Sequence, residues 1–251
     1  MITLKSPMRL PTIAVLQGYL TRQPEQSNIS VDGIFGSETG RAVRQFREEN
    51  RMHPSNEVNY DVWRGTVGSQ WQIIDSVDRT DPNIRDDRDL GPYQQTLLQQ
   101  FGISFGTPLV IQDVCQSARN GQVVLLRFHG HGSPGVMNVA SGTRADTGGS
   151  FASQYGQSFD RSLRQLRPIF APFGSVELHG CRVGQGRAGR ELLTRMAAAL
   201  GVPVTGGVRR QMGGGTSNFR FEGPTTTVCP NGLSLVSWAR RTCSASLPRP
   251  H

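Results

Sequence analysis

Apolar positions follow two different periods along this chain. From Ile13 to Leu20 and from Glu38 to Glu49 they recur at helical spacing, with Ala42, Val43 and Phe46 on one face of the second segment. Between these helices lies SVDGIFGSET (Ser30–Thr39), where Asp32-Gly33 supplies a tight turn while Ile34 and Phe35 plug the core. Val58, Tyr60, Val62 and Trp63 mark a third short helix or a turn. Past residue 68 the period changes to short apolar, β-branched runs: WQIID from Trp71, VVLLRFH ending at His129 and SVELH ending at His179. Helical spacing returns at Tyr93–Phe101, on Leu97, Leu98 and Phe101, and a further helix is expected at Asp113–Arg119. Pro108–Ile111 reads as a further short strand.

Strand, helix, strand is the order a parallel sheet requires, so the pattern predicts an α/β fold. It comprises a small N-terminal three-helix module over residues 1–68 and, over 69–251, an open, mostly parallel sheet flanked by helices. Asp75–Gly91 is charge-rich with Pro82 and reads as a loop or a connection between the two parts. Thr143–Ser158 is polar and glycine-rich, either a mobile loop at a site mouth or a disordered stretch without function. Gly206–Asn218 reads as a second flexible loop.

The two longest strand-like runs stop at glycine turns that each deliver a reactive side chain, His131 in HGHGSPG and Cys181 in HGCRVGQG. In an open parallel sheet, reactive groups collect beyond the carboxyl ends of the strands, so this pattern places an imidazole beside a thiol. A free thiol has a pKa of about 8.5 and is mostly protonated at neutral pH, so a cysteine nucleophile needs a base. Glycine beside each reactive residue permits a tight turn and leaves backbone N–H groups open to a substrate carbonyl. His129 lies two residues before His131, and His179 two before Cys181. Period-2 geometry points each pair to one side of the sheet.

HGSPG and HGCRVGQG resemble the caspase-like clan of cysteine peptidases, most closely the caspase-like domain of large bacterial surface proteins, over Trp71 to Gly223. The resemblance implies His131 as catalytic base and Cys181 as nucleophile, with the N–H groups of Gly132 and Cys181 as oxyanion hole, and, after Cys181, a helix over Gly189–Leu200 and a short strand over Val202–Thr205. It places His179 in the substrate pocket, where a histidine departs from the usual Asp, Glu or Gln. Arg209 and Arg210, by topology, border the same cleft. LQGYL, VDGIFGSETGRAVRQF and YDVW resemble the three-helix bacterial peptidoglycan-binding domain, over Leu10 to Val67. That implies a cell-wall polymer as partner. PSNEVNYDVW stands where that family has a second Asp-Gly turn.

Composition adds constraints. The formal net charge is +8, and of 27 basic residues only Lys5 is lysine. No run of five or six like charges and no interleaving of arginine with aromatics appears, which argues against nucleic acid as partner. None of the four cysteines forms a CxxC pair, so a zinc ribbon is not expected. Cys229 and Cys243 flank a Pro-Asn-Gly turn that could bring two short strands and a disulfide together, which would imply an oxidising compartment. There is no membrane-length apolar run and no recognisable signal peptide, so the cell-envelope or secreted location that the module implies would need another export route.

The combined expectation is a cell-wall-targeted cysteine peptidase that needs no cofactor and no metal and acts on a peptide or protein amide. Two alternatives stay open. One is a zinc-dependent peptidoglycan hydrolase using His129, His131 and His179. The other is a caspase-like binding or effector protein without catalysis.

Overall fold

The structure is a computed structural model that describes residues 4–5, 7–23, 29–78, 106–140, 149–152, 157–211, 221–244 and 247, and residues 95–100 as backbone. In chain order the elements are β1 (Met8–Arg9), α1 (Pro11–Leu20), β2 (Ile34–Phe35), α2 (Ser37–Glu49), α3 (Tyr60–Thr66), β3 (Gln72–Asp78), β4 (Gln95–Gln100), α4 (Thr107–Ser117), β5 (Val123–His129), β6 (Gly132–Ser133), β7 (Val136–Asn138), β8 (Ser150–Ala152), α5 (Gln157–Arg164), β9 (Phe170–His179), α6 (Gly186–Leu200), β10 (Val204–Gly207), β11 (Thr225–Val228) and α7 (Leu235–Cys243).

Six strands form the central sheet in the order β11-β10-β9-β5-β3-β4, with β11 antiparallel to β10 and every other pair parallel. Counted by chain position, the five parallel strands are ordered 2-1-3-4-5, a doubly wound arrangement. From β4 the chain steps over β3 to β5 and continues the same way to β9 and β10. Right-handed crossovers then put α4, α5 and α6 on one face. Their apolar sides, including Val110, Leu163 and Leu193, share a cluster with Ile74, Leu126, Phe128, Val176 and Leu178.

The other face is covered by α1 and α7. Ile13, Leu16 and Tyr19 of α1 and Trp238 of α7 lie in one cluster with Leu125, Ala171 and Phe173 of the sheet. Every residue of α1 is buried, because α2 and α3 cover its outer side while the sheet and α7 cover its inner side. The N-terminal module therefore shares its hydrophobic core with the sheet across residue 68.

Within the module the VDGIFG motif serves the fold. Buried Gln17 donates from Nε2 to Asp32 Oδ1, to the Ile34 carbonyl and to Thr39 Oγ1, each at 3.0 Å, and its Oε1 accepts the N–H groups of Asp32 and Gly33. Where the second Asp-Gly turn is missing, the Arg47 guanidinium donates to the His53 and Glu57 carbonyls, and Asn59 caps α3 by accepting from the Val62 N–H.

Four local expectations are corrected. Residues 95–100, within the stretch expected to be helical from Tyr93 to Phe101, form the edge strand β4 in register with Ile73–Asp78. Pairing with the open edge of β3 overrides the local preference. Pro108–Ile111 is helical: Pro108 sits in the first turn of α4, where a missing N–H costs nothing, and Val110, Ile111 and Val114 form its buried side. Asp75 is not in a loop but in the middle of β3. All four cysteines are free, and between Cys229 and Cys243 lie a 3₁₀ turn and α7 rather than two strands. Residues 79–91 of the expected charge-rich loop, 143–148 and 153–156 of the polar loop, and 212–218 of the glycine-rich loop lie outside the described residues.

Candidate active site

The site lies at the carboxyl ends of β5 and β9, which pair in register with His129 opposite His179 and Arg127 opposite Glu177. On the far side of β5, Arg127 faces Asp75 of β3. Alternation sends Leu126, Phe128, Val176 and Leu178 into the cluster under α4 to α6. The residues between them, Arg127, His129, Glu177 and His179, therefore point to the opposite face. Two cross-strand rows result: Asp75–Arg127–Glu177, and His129–His179 one step nearer the strand ends.

These rows are closed to solvent. Arg127 and Asp75 form a two-pronged ion pair, Nε to Oδ1 and Nη2 to Oδ2, the latter 3.0 Å, with both side chains 1% exposed or less. His129 Nε2 lies 3.1 Å from the same Asp75 Oδ1. Burial alone would raise the Asp75 carboxyl, but the Arg127 guanidinium and the His129 ring outweigh it and hold the carboxyl well below the ordinary carboxylate range. Burial pushes the pKa of His129 down to about 3 despite its bond to Asp75. An ionised carboxylate can only accept, so neutral His129 carries its proton on Nε2 and donates it to Asp75.

His179 is also committed. Its Nε2 lies 2.9 Å from Glu177 Oε2, and its ring is stacked between His129, with centroids 4.9 Å apart, and Phe221, 4.3 Å away. Only 7% of the side chain is exposed. The residue expected in the substrate pocket is thus the middle member of a three-ring column.

His131 has a different setting. β5 ends at His129, and past Gly130 the chain leaves the sheet, so the period-2 expectation that His129 and His131 share a side does not survive the strand end. His131 is exposed, and its carbonyl accepts the Asn138 N–H at 2.8 Å. Glycines allow this turn to fold onto its neighbour. A Cβ on Gly130 would lie 2.0 Å from the Asn138 carbonyl oxygen; one on Gly132 would lie 2.5 Å from Val183 Cγ2 and 3.0 Å from both the backbone N and O of Cys181. A further bond, Gly135 N–H to the Val183 carbonyl at 3.1 Å, ties the two turns together. The structure thus brings the His131-Gly132 turn against the Cys181 turn.

Cys181 is half-buried, and its Sγ lies 3.4 Å from both the carbonyl oxygen and the N–H nitrogen of Gln211. Among the described residues, its own N–H makes no backbone hydrogen bond. Arg182, next in the chain, has φ 59° and donates its N–H to the Arg209 carbonyl at 2.8 Å, so Arg209 and Arg210, both exposed, run beside the Cys181 turn. The amino end of α6 follows at Gly186 with no acidic residue in its first turn, which adds positive potential to the same turn.

Asp75, Arg127, Glu177, Gln211 and Phe221 were not among the expected site residues. A signal existed for two of them: RFHG and ELHG place a charged residue at the same position in two otherwise apolar strands. For Gln211 and Phe221 no local signal exists, since both reach the site through the path of the chain beyond β10. No protein-family model, curated protein or solved structure matches the chain. Among the described residues, no three of His, Cys, Asp and Glu converge in a way that would hold a metal ion, and no helix is long and apolar enough to cross a membrane.

Proposed function

We propose that this chain is a cysteine peptidase with Cys181 as nucleophile and His131 as general base. The observation that carries the reading is the meeting of two glycine-bounded turns at the carboxyl ends of adjacent parallel strands, one bearing an exposed imidazole and the other a thiol whose own N–H makes no backbone hydrogen bond among the described residues. In this mechanism His131 takes the Sγ proton as sulfur attacks the carbonyl carbon of an amide. The N–H groups of Cys181 and Gly132 stabilise the oxyanion. The C–N bond then breaks, and the leaving amine takes the proton from the imidazolium. A water, deprotonated by His131, hydrolyses the thioester and restores the thiol.

The zinc alternative lacks support in this geometry. His129 and His179 each direct Nε2 to a carboxylate and stack face to face, so their nitrogens do not converge with His131 on one point. The module motif supports a cell-wall polymer as partner and the cell envelope as the place of action. A pull-down of the full chain with purified peptidoglycan tests this. Binding that persists at high salt, where adsorption by net charge is screened, supports the anchor; binding lost in salt overturns it.

The decisive experiment incubates wild type and Cys181→Ala with a proteome and with purified cell wall, and reads new termini by mass spectrometry. Cleavage by wild type alone is expected. Equal cleavage by both, or cleavage lost on chelation and kept in Cys181→Ala, overturns the proposal.

A further inference from the structure

The Cys181 thiol is occupied by this chain's own backbone. Its S–H donates to the Gln211 carbonyl, and its sulfur accepts the Gln211 N–H, both at 3.4 Å. The proton that must leave during attack thus points at a carbonyl oxygen instead of a base. Removing it in place would set a thiolate against that oxygen, which is repulsive. Deprotonation therefore requires Sγ and Gln211 to separate.

The segment that brings Gln211 there is anchored rung by rung. Gly184 donates to the Gly207 carbonyl at 2.9 Å and Arg182 to the Arg209 carbonyl at 2.8 Å, so the segment Gly207–Gln211 runs antiparallel to the Cys181 turn and Gln211 falls opposite the thiol. The Gln211 side chain then fixes its own backbone. Oε1 accepts the Glu222 N–H at 2.9 Å, Nε2 donates to the Arg209 carbonyl at 3.2 Å, and the carboxamide packs over Gly207, where a Cβ would lie 2.7 Å from Nε2. A glutamine with both ends of its amide engaged is a latch on the strap that carries it.

We propose that Gln211 is an autoinhibitory clamp: the segment Gly207–Gln211 holds Cys181 in a resting, protonated state, and the site becomes reactive only when this segment moves off the sulfur. The inference rests on Cys181 being the reactive thiol of the proposed peptidase. A peptide substrate, whose main chain offers the same carbonyl and N–H pair, is the natural competitor for the contacts that Gln211 makes.

The test is the rate at which limiting iodoacetamide alkylates each cysteine of the full-length chain, followed by peptide mass spectrometry. Gln211→Ala removes both side-chain ties and leaves the backbone in place. Cys181 alkylation should rise about tenfold, the effect of losing two ordinary hydrogen bonds. Gly207→Ala displaces the Gln211 carboxamide from below and should shift the rate in the same direction. Cys115 serves as the half-buried reference, and Cys229 and Cys243, both buried, report on folding by staying unmodified. If Gln211→Ala exposes those two thiols, Gly207→Ala decides. An unchanged or slower Cys181 rate in a folded variant overturns the clamp. Because alkylation needs no hydrolysis, a chain that alkylates as expected yet cleaves nothing refutes the peptidase and leaves the clamp standing.

Discussion

The last residues of β5 and β9 and the residues just past their glycines make opposite use of the same side-chain types. Before the glycines, His129 is buried and the His179 side chain is 7% exposed; the two rings stack on each other and bond to Asp75 and Glu177. After them, His131 is exposed and Cys181 half-buried, each on a turn free of the sheet ladder. A histidine inside the ladder has its neighbours imposed by register, and burial in low dielectric keeps His129 neutral. A histidine two residues later answers to the turn and keeps access to solvent. The inner set is bound into the sheet, and the outer pair sits on the turns beyond it.

The sharpest way to break this contrast is Cys181→Ala. All hydrolysis should disappear while the urea midpoint stays within about 1 kcal/mol of wild type, since only a half-buried sulfur is removed. A folded variant that still turns over would move the chemistry elsewhere. Next in size, His131→Ala should lower turnover by about two to four orders of magnitude with little change in stability. His129→Ala should do the reverse, costing stability first through the cavity and the lost bond to Asp75. Finding the large rate effect at His129 would exchange the roles of the two sets.

Asp75→Ala probes the inner set directly. It leaves the Arg127 guanidinium buried without its carboxylate, and breaking such a pair costs about 3–5 kcal/mol. Chemical denaturation should register that loss; a change below about 1 kcal/mol would show that the buried rows are not what holds the three strands at the site.

The smallest effect, taken per pH unit, is the pH slope. His129 binds its proton in the unfolded chain near its ordinary value, about 6.5, but in the fold only near about 3. The unfolded state therefore holds more protons between these values, and stability should fall by up to about 1.4 kcal/mol per pH unit as pH drops through that window. Asp75, depressed in the fold, adds a further loss below about 4. Urea midpoints from pH 7 to pH 4 measure the slope, and His129→Gln should flatten it. An equal slope in that variant would assign the effect to other groups.

Apolar periodicity alone established the α/β class, the first two N-terminal helices, and the strands ending at His129 and His179. Period-2 and period-3.6 patterns record which side of a local element faces a core, and that information travels with the residues. The two reactive turns were legible for a related reason: a strand-length apolar run followed by glycine marks a strand end wherever it occurs. Tertiary structure alone decided the rest. Residues 95–100 became a strand because β3 had an edge to pair, and Pro108 opened a helix because it fell in the first turn. Asp75, Arg127 and Glu177 became one row because register aligned three strands far apart in sequence. The module joined the sheet's core because the face opposite α4, α5 and α6 needed α1 and α7 to cover it. Gln211 reached Cys181 through a backbone path, and main-chain contacts leave no mark on residue type.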